Sequence, residues 1–118
     1  MLEFAARWVA AWNRRDVDAV LAHYVDDATF ISPKAQLFVG TSVIRGKAAL
    51  ERYWRTASAR IETLEFKLES AVWDGDSRQL AVFYEANLSG TKTRACELMS
   101  FDGQGRQVSG EALYGASV

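Results

Sequence analysis

Histidine, cysteine and proline each occur once in this 118-residue chain, as His23, Cys96 and Pro33. One histidine leaves no His-rich metal cluster and no Ser-His-Asp triad to assemble around it. Near the predicted end of a helix it reads as a solvent-facing or capping residue. One cysteine cannot close an internal disulfide, so nothing favours secretion. A strong charge imbalance is also missing: the net charge is −1 and the pI near 5.8, which gives no global attraction for nucleic acid or an anionic membrane. No apolar run approaches a membrane span. The first residues place Glu3 and Arg7 in a helical pattern where a signal peptide would have its apolar core. The expectations are a cytoplasmic protein with no membrane and no nucleic-acid partner. Metal ligands at recognisable spacing are absent, and no cofactor is expected.

What is present is the composition of a folded domain, 49% hydrophobic and 25% charged, long enough for a core but too short for two, so residues 1–118 are read as one domain. From Leu2 to Asn13, Ala5, Trp8, Val9 and Trp12 fall at helical spacing. Asn13-Arg14-Arg15 closes this helix, and Asp16 is an N-cap for a second, with Val17, Val20, Leu21 and Tyr24 on its buried face. Ala28 to Ser32 reads as a short strand stopped by Pro33. Residues 34 to 45 read as an irregular connection, apolar enough at Leu37, Phe38, Val39 and Ile44 to fold over something. Gly46 precedes a third helix, Lys47 to about Ala59, with Leu50, Tyr53, Trp54 and Ala57 on one side.

The second half alternates instead. Gly75, Gly90 and Gly103 mark hairpin turns between runs at about 61–73, 77–89, 92–102 and 106–115. One parity collects Leu64, Phe66, Leu68 and Val72, then Leu80, Val82, Tyr84, Ala86 and Leu88, then Ala95, Glu97, Met99 and Phe101, then Val108, Gly110, Ala112 and Tyr114. Three helices followed by a four-strand meander predict an α+β domain with the helices on one face of the sheet.

The run Trp8 to Val20, the Asp26-Asp27-Ala28-Thr29 turn, Gly46-Lys47-Ala48-Ala49-Leu50 and the stretch Phe101 to Gly115 together resemble the nuclear-transport-factor-2-like superfamily, which includes ketosteroid isomerases and SnoaL-like polyketide cyclases. The resemblance covers the whole chain. It implies a cone-like, curved antiparallel sheet packed around three N-terminal helices, with a single pocket. It also implies that the isomerase machinery is mostly replaced. The family's base aspartate, before a proline at the end of the first strand, corresponds to Ser32. Its oxyanion tyrosine corresponds to Trp8, and its protonated aspartic acid to Glu97. A serine without its own base cannot shuttle a proton between carbons near neutral pH, so ordinary ketosteroid isomerisation is not expected.

Glu97 is the candidate catalytic residue, because its parity points the carboxyl at the apolar side, where burial raises a carboxyl pKa. The competing reading pairs it with Arg94, Lys92 or the backbone. Trp8, Trp12, Tyr24, Ser32, Trp54, Tyr84, Met99 and Tyr114 are the candidate substrate-binding set; they line a pocket for a small hydrophobic ligand or simply fill the core. Arg45, Lys47, Arg52, Arg55 and Arg60 make the third helix locally basic, which reads as a solvated face. Ala81, Phe83, Glu85, Arg94, Cys96, Leu98 and Leu113 form an outer face too apolar for full exposure, and a homodimer is expected there. Two functions compete: a cofactor-independent acid–base enzyme of the isomerase, cyclase or dehydratase type, and a non-catalytic ligand-binding or protein-interaction module.

Overall fold

The computed structural model describes residues 1–118. Helix α1 (Leu2–Asn13) buries the predicted stripe of Ala5, Trp8, Val9 and Trp12. The chain reverses through Arg15, at φ 56°, into the short α2 (Val17–Leu21), where the Asp16 carboxylate accepts from the Ala19 amide at 3.0 Å, the capping role read from the sequence. Strand β1 (Tyr24–Ile31) begins four residues earlier than predicted. Tyr24 thus leaves the helix to which its spacing assigned it. It pairs instead with Gln107, a partner more than 80 positions away that a local period does not register.

Residues 34 to 45 are not irregular. They form α3 (Pro33–Val39) and β2 (Val43–Arg45), so the molecule has four helices rather than three. Pro33 stops β1 and starts α3 at once: its fixed φ suits the first helical turn, and the Ser32 hydroxyl accepts from the Lys34 amide at 3.2 Å. Helix α4 (Lys47–Arg60) follows, and then β3 (Leu64–Asp74), β4 (Gln79–Leu88), β5 (Thr91–Phe101) and β6 (Gln107–Ser117), close to the predicted runs.

All six strands join one curved sheet in the order β2-β1-β6-β5-β4-β3. The meander is antiparallel as expected, the unpredicted β2 pairs antiparallel with β1, and β1 runs parallel to β6. Helix α1 packs on β3 and α4 on β1, which closes the concave side into a core. Two irregularities overturn parts of the parity reading. The β3–β4 register shifts between Leu68 and Ser70, so Ala71 turns inward and Val72 outward, 59% exposed. A second shift, where Ser100 pairs Ser109 but Phe101 pairs Gln107, turns Gln107 into the core in place of Val108. A bulge adds one residue to one strand, and every side chain beyond it changes face.

Two side chains lock the helices to their surroundings. Asn13, at the end of α1, both donates to the Phe66 carbonyl (2.9 Å) and accepts from the Phe66 amide (2.6 Å) on β3, the edge strand. The Arg15 guanidinium donates to the carbonyls of Ser58, Ile61 and Glu62 at 2.6, 2.7 and 2.9 Å, where α4 ends. Those carbonyls have no partner within the helix, so a cation there satisfies them and favours the dipole.

Candidate functional site

Glu97 lies on β5 between Val82 of β4 and Ala112 of β6, on the concave face. It is 3% exposed. Flanking strands hold it in the core, and small Ala112 beside it leaves space. None of the molecule's ion pairs reaches it. Arg94, its suggested partner, pairs with Glu69 at 3.0 Å on the outer face. Burial raises the Glu97 carboxyl from 4.5 to about 8, and the charge of Glu111 adds to the rise.

A cavity of about 80 Å³ opens beside this carboxyl. Of the sequence-predicted set, Trp8, Trp12, Ser32, Trp54 and Tyr114 line it together with Glu97. Tyr24, Tyr84 and Met99 are buried outside the lining. Tyr84 packs behind Trp8, with ring centroids 5.2 Å apart, and Met99 pairs with Leu80 and Gly110 further along β5. Tyr24 stands on the other side of Glu97: its hydroxyl accepts from the Gln107 amide at 2.9 Å, and a Cβ placed on Gly110 would meet Tyr24 Oη at 2.6 Å and Glu97 Oε2 at 3.1 Å. Glycine at 110 therefore creates the room in which the phenol and the carboxyl approach each other.

Sequence reasoning missed Tyr53, Lys34 and Ser58 in the lining, and Gln107 behind it. Tyr53 was legible as a core position of α4, but its hydroxyl's destination depends on α3, which the sequence reading did not contain. Tyr53 and Tyr114 both have raised pKa values, chiefly from burial; hydrogen bonding to Ser32 opposes the rise and the charge of Glu97 adds to it. Both phenols stay protonated through the neutral range and remain donors. The site is thus one carboxyl and four hydroxyl-bearing side chains, Ser32, Tyr53, Ser58 and Tyr114, in an indole-rich wall. At the rim, Lys34 Nζ sits 4.6 Å over the Tyr114 ring. A second hollow of about 180 Å³, lined in part by Lys34, Leu88, Thr93 and Tyr114, adjoins it there. No cluster of three His, Cys, Asp or Glu side chains suits a metal.

Residues 5–114 match the family model of the SnoaL-like domain. The chain belongs to the SnoaL-like domain family. A SnoaL-like protein of unknown function from Burkholderia thailandensis E264 superposes with a TM-score of 0.84 at 29% identity, over 97% of this chain and 92% of its own. SalBIII, an epoxide hydrolase/cyclase-like enzyme with a role in pyran ring formation in salinomycin, superposes at 0.75 and 21% identity, over 96% and 88%. A steroid delta-isomerase from Pseudomonas aeruginosa superposes at 0.72 and 22% identity, over 94% and 76%. At such low identities the last two likenesses concern the fold, a curved six-strand sheet with four helices in this SnoaL-like chain.

Proposed function

We propose that this SnoaL-like protein binds a small hydrophobic molecule and moves a proton on it without a cofactor, as an isomerase, cyclase or dehydratase does, with Glu97 as the proton carrier. The observation that carries this reading is the Glu97 carboxyl, buried without an ion pair in the wall of an aromatic cavity. A pKa near 8 leaves about a tenth of the groups ionised at neutral pH and lets the carboxyl both take and return a proton. In the simplest step, the Glu97 carboxylate takes a proton from a carbon next to a carbonyl. The C–H electron pair becomes the carbon–carbon double bond of an enolate, the carbonyl π pair moves onto oxygen, and that oxygen accepts hydrogen bonds from Tyr53 and Tyr114. Glu97 then returns the proton to another atom, or a leaving hydroxyl takes it as water departs.

Size limits the substrate. An apolar cavity of about 150 Å³ holds benzene, and the space beside Glu97 is about 80 Å³. Only a small reactive end enters, and the body of the ligand lies past Lys34 in the adjoining hollow. Ser32 supplies no base at the family position, and the space beside Glu97 is small for a steroid ring system, so ordinary steroid isomerisation is not part of this reading. One observation favours binding without turnover: the Ser32 hydroxyl is already used as the cap of α3.

The protein acts in the cytoplasm as a homodimer. Support for the dimer is the outer sheet face, where Phe83, Cys96, Leu113 and Val118 surround a shallow apolar hollow of about 410 Å³.

The proton-transfer step is testable without the natural substrate. In deuterated buffer, a panel of small cyclic ketones should exchange α-hydrogens faster with the protein than with buffer alone. The rate should climb with pH and level off above about 8. Glu97→Gln should abolish exchange and leave affinity within about tenfold. No acceleration with any ketone, or full exchange by the variant, would remove Glu97 as carrier and leave the binding role.

A further inference from the structure

Arg45, Arg52 and Arg60, on β2 and α4, lie outside the Glu97 cavity. A groove of about 440 Å³ runs between α3, β2 and α4, within the range of roughly 300–1,000 Å³ typical of small-molecule sites. Its apolar side is Phe38, Val39, Ile44 and Tyr53, and its cationic side is Arg45, Arg52 and Arg60. On α4, Arg52, Thr56 and Arg60 follow one another at four-residue steps, and Tyr53 stands three residues before Thr56, so they line one side of the helix. No carboxylate lines the groove. The ion pairs of the molecule include none of these three guanidiniums, whereas Arg55, which does not line the groove, is held by Glu51 and Asp18. Arg60 lies over the Phe38 ring, 5.6 Å from its centroid, which keeps one guanidinium at the apolar edge.

A solvated basic face needs no apolar floor, and an apolar docking face does not need three uncompensated cations. Together they match one chemistry. We propose that the groove is a second ligand site, for an amphipathic organic anion whose aryl or alkyl body lies on Phe38, Ile44 and Tyr53 and whose carboxylate or phosphate is held by Arg45, Arg52 and Arg60. Planar guanidinium forks suit either headgroup. Tyr53 lines this groove and the Glu97 cavity alike, so an occupant presses on the ring whose hydroxyl serves the inner site.

Amide NMR on the full chain tests the proposal with three probes of one ring system: 1-naphthyl phosphate, 1-naphthoate and neutral 1-naphthol. At least one anion should shift the Thr41, Arg52 and Thr56 amides saturably, at least about tenfold more tightly than 1-naphthol, and the headgroup that binds tighter identifies the ligand class. Raising the salt from about 0.05 to about 0.3 M should weaken anion binding several-fold. The double variant Arg52→Gln/Arg60→Gln should lose about tenfold or more of the anion affinity while leaving 1-naphthol binding unchanged. Arg55→Gln, outside the groove, should change neither, which separates the site from general positive charge. Three results would overturn the proposal: no anion binding, anion shifts confined to the Trp8 and Trp12 indoles of the inner cavity, or a double variant that binds the anions as the unmodified protein does.

Discussion

Folding takes the Glu97 carboxyl from an ordinary pKa of 4.5 to about 8, so the folded state holds this proton more tightly than the unfolded chain. The contribution to stability is fully present below 4.5 and is lost as pH rises to about 8. At about 1.4 kcal/mol per pH unit, the loss at neutral pH is on the order of 3 kcal/mol. No ion pair to the carboxyl offsets it. Glu97→Gln removes the titration and keeps the shape. Urea midpoints should therefore be close for the two proteins at pH 4.5 and should separate progressively up to pH 8, with the variant the more stable. A difference that stays constant with pH would mean that Glu97 is solvated in the folded state.

Among the elements, β6 is the one the site depends on most closely. It pairs with β5 on one side and β1 on the other, and Gly110 sits where both neighbours send polar groups inward. A methyl there would lie 2.6 Å from Tyr24 Oη, 3.1 Å from Glu97 Oε2 and 3.3 Å from Gln107 Nε2. The Tyr24 ring is buried against Trp54, so it cannot swing aside cheaply. Gly110→Ala should cost ~1–3 kcal/mol in thermal or urea unfolding and shift the Glu97 titration followed by carboxyl NMR. An unchanged stability would show that Tyr24 has a second place to go. Helix α3 is capped by Ser32 at one end and by Gly40, at φ 78°, at the other, and is anchored between them by fully buried Ala35.

For the whole molecule, the convex side of the sheet leaves apolar area open to water: Val72 is 59% and Leu113 45% exposed, beside half-buried Phe83 and Leu98. If a second copy covers this face, the contact should bury ~800 Å² per partner or more. Sedimentation equilibrium should then report a dimer at micromolar concentration. Leu113→Lys, at a position already open to water, should give a folded monomer by burying a cation from each copy in the contact. A monomer in the unmodified protein, at high micromolar concentration, would refute the dimer.

Much of this was legible locally. The stripe of α1, the Asp16 cap and the four meander strands follow from residue period and turn chemistry, which are properties of short segments. So does the inward direction of Glu97, because β5 keeps its alternation unbroken from Ala95 to Phe101. Where alternation was interrupted, the sequence misled: Val72 and Val108 were assigned inward, and register shifts put Ala71 and Gln107 there instead. A bulge is decided by the partner strand, and no local pattern records it. The same holds for Tyr24, whose place in β1 depends on a parallel partner supplied near the other end of the chain. Helix α3 was hidden because proline marks a strand's end and a helix's first turn equally well. The local sequence therefore determined which side chains were available and Glu97's direction. Tertiary structure decided which hydroxyls meet that carboxyl, how little space lies beside it, and that three arginines share one groove, because each depends on contacts between segments distant in sequence.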